Sequence, residues 1–231
     1  MRKIKFARRA SWAGLYALLL ALAIPASGQL GLSSSVTPGL IAHYVGLFGP
    51  RARGRLDDWK EFVRETAART GPARNSSGEL ELLSHVNRFF NRVPSSTDLA
   101  LWGVDDYWAT PSESVSIGGA DCEDYAIAKY FALKELGIPT ARLRLVYAKT
   151  WLSSQYAHMV LAYYPDPRVD PLILDNLAGS IELASNRPDL TPVYSFNDDD
   201  LRVPDMGIHI SGTSVRQWQG VLEKLKRELT Y

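Results

Sequence analysis

The segment 121–137, DCEDYAIAKYFALKELG, constrains the fold more than any other part of the chain. Its Ala, Leu and Lys residues support a helix. Asp121 is a good N-cap residue, with Asp124 at the third helical position, and Gly137 followed by Pro139 closes the element. Apolar side chains occur around most of its circumference rather than along one stripe. Such a helix is stable only when covered on most sides, so it belongs at the centre of the body.

The chain reads as helical before this segment and as strand after it. RLDDWKEFVRETAART places Trp59, Phe62, Val63 and Ala67 on one face and stops at Gly71-Pro72. A second helix starts at SSGEL, where Ser76 and Glu79 have capping-box spacing. It carries Leu80, Leu83, Val86, Phe89 and Phe90 and ends at Pro94. Residues 94–120 read as a long connection bearing Trp102, Tyr107 and Trp108, and rings on such a loop are suited to line a site. After the central helix come strand-like runs at ARLRLVYA, HMVLAYY, LILDNL, SIELA and PVYSF, then an amphipathic helix with Val215, Trp218, Leu222, Leu225 and Leu229. Helices followed by an antiparallel sheet form an α+β pattern.

The first residues stand apart from this body. MRKIKFARR is basic and without acid, and an apolar run ending in Ala26, Ser27 and Gly28 comes next. This pattern predicts a secretory signal peptide over 1–28, cleaved near Gly28–Gln29; an uncleaved anchor is the alternative. No cysteine lies close behind, which excludes a lipid-anchored form. The expected organisation is thus a signal peptide (1–28), an N-terminal extension (29–54) and a single domain (55–231). Removing Arg2, Lys3, Lys5, Arg8 and Arg9 takes the formal charge from +1 to −4. A mildly acidic protein without a dominant Lys/Arg cluster is a poor partner for nucleic acid.

The one cysteine, Cys122, sits at the first turn of the central helix among Asp121, Glu123 and Asp124. Unpaired N–H groups and the helix dipole favour a thiolate there, whereas the acids oppose it. A cysteine nucleophile needs a base, and the chain offers His43, His85, His158 and His209. His158 opens the strand HMVLAYY. If the hairpin after it is centred between Asp166 and Pro167, paired positions sum to 333 and His158 faces Asp175. Asp175 then fixes the imidazole. For the acids, a helix cap at Asp121 and a solvated Glu123 stand level with a cation site. Asp198–Asp200 lacks the spacing of a calcium loop and reads as a solvated turn.

These residues carry a resemblance. DYWATPSESVSIGGADCEDYAIAKYFALKELGIP, then AHMVLAYY, then LILDNL, resembles the bacterial transglutaminase-like cysteine proteinases, and within them the LapG-type periplasmic proteases. Ala120 departs from the pattern, which places glycine before Asp-Cys; Ser114 and Val115 are smaller than usual there. The resemblance implies a papain-like, transglutaminase-like core with Cys122 as nucleophile, His158 as base and Asp175 as orienting acid. It also implies Ca²⁺ beside the nucleophile, held by Asp121 and Glu123 with Asp124 as a further ligand. The implied activity is calcium-dependent cleavage of the N-terminal region of a large surface adhesin, which disperses a biofilm. The implied inhibitory partner is an inner-membrane cyclic di-GMP receptor of the LapD type. A transglutaminase-type acyl transferase and a non-catalytic calcium-binding module are the alternatives.

Overall fold

A computed structural model describes residues 36–70, 76–152, 157–203, 208–212 and 215–231. The expected signal segment, most of the Ser-rich tail after it and the Gly71-Pro72 stop lie outside the described residues. Helices come first: α1 (Pro38–Phe48), α2 (Arg51–Thr70), α3 (Ser76–Phe90), the short α4 (Asp98–Trp102) and α5 (Pro111–Ile117), and α6 (Cys122–Glu135). Next in the chain are β1 (Leu143–Thr150), β2 (Ala157–Tyr163), β3 (Leu172–Leu174), β4 (Glu182–Leu183), β5 (Leu190–Phe196), β6 (Asp200–Val203), β7 (Ile208–Ser211) and α7 (Arg216–Glu228). The strands form one sheet in the order β4-β3-β2-β1-β5-β6-β7, with every neighbouring pair antiparallel. This is the α+β architecture that the residue pattern implies.

Helix α6 occupies the centre. Every residue from Asp124 to Leu133 is buried, and the helix packs against β1, β2, α3 and α5. Side chains alternate across a sheet, so Leu143, Leu145, Met159, Leu161, Tyr163 and Leu174 join the main core. Val146, Val160, Ala162 and Ile173 form a second, smaller cluster. Burying a side chain such as Leu161 contributes about 1.5–3 kcal/mol.

The connection 94–120 contains two helices where the sequence pattern predicts only loop. Thr97 caps α4 by accepting from Ala100 N–H. Thr110 and Glu113 complete a capping box on α5, with Pro111 at its first position. Gly118 ends α5 in the left-handed region (φ 76°). A Cβ there would lie 2.3 Å from the Arg55 guanidinium, whose Nη1 donates to the carbonyls of Ser116 (2.8 Å) and Ile117 (3.1 Å). Only glycine combines that backbone with that close approach, and the chain thereby turns into the first residue of α6.

Other differences concern the ends of elements. Glu79 accepts from Tyr163 Oη at 2.6 Å and Arg142 Nη1 at 2.8 Å; the Ser76 side chain of the expected capping box lies outside the described residues. The boundary expected between 54 and 55 falls inside α2. Leu40, Ile41, Tyr44 and Ala52 belong to the main core, so the described part of the extension is integral to the domain. Tyr44 Oη donates to Glu228 Oε1 at 2.7 Å, and Thr110 Oγ1 donates to the same carboxylate, joining α1, α5 and α7. Strands β6 and β7 have no counterpart in the strand-like runs of the sequence. Asn197 Oδ1 accepts from the N–H groups of Asp199 (2.9 Å) and Asp200 (3.0 Å) to form the β5–β6 turn. Asp198 pairs with Lys134, and Asp200 with Arg144 and Arg202.

Candidate active site

Asp121 is extended at the N-cap position (φ −108°, ψ −164°), but its carboxylate makes no capping bond. The expected helix cap is absent, and the side chain is directed elsewhere. Cys122 is the first helical residue. Its thiol donates to Glu123 Oε2 at 3.0 Å and accepts from the backbone N–H of Met159. Burial, then the charges of Glu123 and Asp121, push the thiol pKa well above its ordinary value; the Met159 N–H opposes this without reversing it.

His158 lies beside Met159 in β2 and is 1% exposed. Its Nε2 is 2.7 Å from Asp175 Oδ1, so Nδ1 is the ring nitrogen that Asp175 does not engage. The hairpin register differs from the sequence expectation. Leu161 pairs with Leu174 and Tyr163 with Leu172, so paired positions sum to 335 rather than 333. A shift of two keeps every side chain on its face, whereas a shift of one would reverse them. Asp175 therefore reaches His158 diagonally, from just beyond the end of β3. Ala148 is directly opposite His158, and the β1–β5 register slips between Tyr147 and Ala148. Such irregularities re-aim side chains near functional sites.

Asp175 is held on all sides. Oδ1 also accepts the Leu177 N–H at 2.9 Å, Oδ2 accepts Arg187 Nη2 at 2.6 Å, and the carbonyl accepts Asn91 Nδ2 at 2.8 Å. Burial alone raises its pKa, but bonds from His158, Leu177 and Arg187 outweigh burial and hold the carboxyl well below the usual range. Cys122 and His158 open into one cleft of about 970 Å³, walled by Trp108 and by Tyr147 and Tyr194, whose rings stack 5.0 Å apart. Of the other histidines, His43 stacks on Tyr231 at 4.1 Å and His85 lies 3.9 Å from Glu81. Neither lines the cleft, and the side chain of His209 lies outside the described residues.

Asp98, Asp106, Asp121 and Glu123 line the same cleft. Asp98, Asp121 and Asp124 bring carboxylate oxygens within 4.8 Å of one another, and so do Asp98, Asp106 and Glu123. Asp98 is common to both groups. One oxygen of Asp98 accepts Tyr107 N–H at 2.6 Å, and one of Asp124 accepts Ala109 N–H at 2.8 Å. Asp98 Oδ1, Asp121 Oδ1 and Asp124 Oδ2 are buried without a hydrogen-bond donor among the described residues. Buried oxygens are ordinarily satisfied, and an all-oxygen set suits a hard divalent cation. Without a cation, burial raises Asp98 to about 6 despite the Tyr107 N–H. Burial, then Glu123 and Asp124, raise Asp121 to about 9. Asp124 is raised well above its ordinary value, mainly by burial. Sequence reasoning misses Asp98 and Asp106 because residues 94–120 read as loop; the Thr97-Asp98 helix start is the available signal.

A cysteine at the start of a buried helix, with a histidine–carboxylate pair on the adjoining sheet, defines the class: a papain-like cysteine hydrolase. Residues 59–189 match the family described as bacterial transglutaminase-like cysteine proteinase. Among solved structures, calcium-bound Legionella pneumophila LapG is 37% identical, with a TM-score of 0.65, covering 80% of this chain and 97% of that one. The EGTA-treated form of Legionella pneumophila LapG is 35% identical, with a TM-score of 0.67, covering 81% of this chain and 96% of that one. A search of curated proteins finds no significant match. The chain belongs to the bacterial transglutaminase-like cysteine proteinases.

Proposed function

We propose that this chain is a calcium-dependent cysteine endopeptidase with Cys122 as nucleophile, His158 as base and Asp175 as the acid that orients it. The observation that carries the reading is the buried His158–Asp175 pair beside the chain's one cysteine. A family of cysteine proteinases requires a thiol, and the sequence holds no other. His158 meets Asp175 through Nε2, so Nδ1 takes the thiol proton. Sulfur attacks the scissile carbonyl carbon, and backbone N–H groups at the start of α6 face the oxyanion. The peptide C–N bond breaks as His158 returns the proton to the leaving amine. Water, deprotonated by His158, then resolves the thioester.

Asp98, Asp106, Asp121, Glu123 and Asp124 supply the candidate calcium ligands. The buried, unpartnered oxygens fit that ion, and one of the solved relatives is described as calcium-bound. Calcium supplies positive charge beside the thiol and reverses the local electrostatics in favour of thiolate. Glu123 would help hold that ion, and its carboxylate would then be a weaker acceptor for the Cys122 proton that it accepts in the structure.

The leader pattern over 1–28 supports export to the periplasm. There the enzyme cuts the N-terminal region of a large surface adhesin beside a paired-alanine sequence, releasing the adhesin and dispersing the biofilm. An inner-membrane cyclic di-GMP receptor restrains it by binding. The test is incubation of candidate adhesin N-terminal fragments with purified protein, in calcium and in chelator. Discrete fragments in calcium only, absent with Cys122→Ala, support the reading; uncut fragments throughout, or cutting by Cys122→Ala, overturn it.

A further inference from the structure

We infer that Arg187 is a positioning residue for the reaction, acting through Asp175. The inference rests on the reading of Cys122, His158 and Asp175 as the catalytic machinery. Arg187 comes directly after a short 3₁₀ turn, Ala184–Asn186, beyond β4, and is 6% exposed. Asp189 grips its guanidinium from one side, through Nε at 2.9 Å and Nη2 at 2.7 Å. The fork so fixed presents Nη2 to Asp175 Oδ2 at 2.6 Å. Arginine is rigid and planar, and a bidentate carboxylate locks the plane in which its remaining N–H groups point.

The consequence lies on the opposite oxygen. The terminal torsion of aspartate is broad and roughly two-fold. A carboxylate anchored only through Oδ1 can rock and carry the imidazole of His158 with it. With Oδ2 fixed by Arg187 and Oδ1 shared between His158 Nε2 and the Leu177 N–H, the carboxylate plane is determined. Lys129 also faces Asp175 from α6, but its fully buried Nζ has no hydrogen-bond partner among the described residues. Burial lowers its pKa to about 7, and without a hydrogen bond it gives the carboxylate no direction. A buried ion pair is weak evidence for stability as such, and the geometry it imposes on the triad accounts for this one.

The test uses two readouts that a purely structural role would not move. The first is the rate of Cys122 alkylation by iodoacetamide in the calcium-saturated protein at neutral pH. Arg187→Gln should slow it about 10–100-fold, as the loss of an orienting partner does elsewhere, and Arg187→Lys, which keeps the charge but lacks the planar fork, should restore little of the rate. In an Asp175→Asn background, Arg187→Gln should add less than about twofold, because coupled residues are non-additive. The second is the proton resonance of His158 Nε2–H in chelator-treated Cys122→Ala protein: sharp and at low field with Arg187, broadened by exchange with Gln or Lys. If Arg187→Gln does not fold, Asp189→Asn loosens the same guanidinium and should slow alkylation severalfold. Should Asp175→Asn abolish both signals while Arg187→Gln matches the wild type, the inference is overturned and the triad stands. Should Asp175→Asn also match the wild type, the triad reading itself falls.

Discussion

The Cys122 thiol donates to Oε2 of Glu123, its immediate neighbour in the chain, at 3.0 Å. The acids around the one cysteine therefore act on the proton of that cysteine. Glu123 and Asp121 both favour the protonated thiol.

Glu123→Gln separates this effect from cation binding. Glutamine keeps the size but removes the charge, which is second only to burial in raising the thiol pKa. In excess chelator, Cys122 of the variant should alkylate severalfold faster than wild type. In calcium it should alkylate more slowly, with calcium affinity reduced about tenfold or more. Equal rates for both proteins in chelator would show that Glu123 does not hold the thiol proton.

Asp98→Asn should weaken calcium binding about as much as Asp121→Asn, although it lies far from the cysteine in sequence. Both acidic groups share Asp98. Calorimetric titration decides this; unchanged affinity in Asp98→Asn would place the ion on neither group.

Metal-free stability should fall as pH rises. Asp98 at about 6 and Asp121 at about 9 hold protons in the folded state that the unfolded chain releases near pH 4. Their folded pKa values are raised, so the associated stability is complete below about pH 4 and is lost as pH climbs through the folded values. The melting temperature in chelator should therefore decline from about pH 5 to about pH 8, and the increment given by calcium should grow over the same window. A chelated melting temperature that rises across that range contradicts the assignment.

Cys122→Ala should abolish peptide cleavage with the fold intact. Asp175→Asn should lower kcat by about 10³–10⁴, since the imidazole loses its fixed tautomer. Circular dichroism and steady-state kinetics together test both variants. Near-wild-type turnover by either removes the mechanism.

How much of this is legible in the sequence depends on how local each signal is. Helix α6 can be read because its apolar residues encircle it, and His158 and Asp175 because strand parity survives a register error of two. The capping box of Thr110 and Glu113 is equally local, yet the turn-forming residues around it mask it. Asp98, Asp106 and Arg187 are not accessible in this way. Their contacts to Asp124, Glu123 and Asp175 join elements whose mutual placement the sheet and the α5 turn decide. Asp121 is legible as an acid at a helix start, and its missing cap bond only in three dimensions.

The carboxylate of Glu228, shared by Tyr44 and Thr110, bears on how this protein can be handled. It fastens the first described helix and the last onto Thr110, the residue that caps α5 ahead of the nucleophile. A shortened version starting at residue 55, or one ending before Glu228, would loosen or remove that anchor and should lose cation binding before it loses its sheet. Fusion partners and affinity tags therefore belong ahead of Val36 or beyond Tyr231, joined through a spacer that leaves this clasp closed.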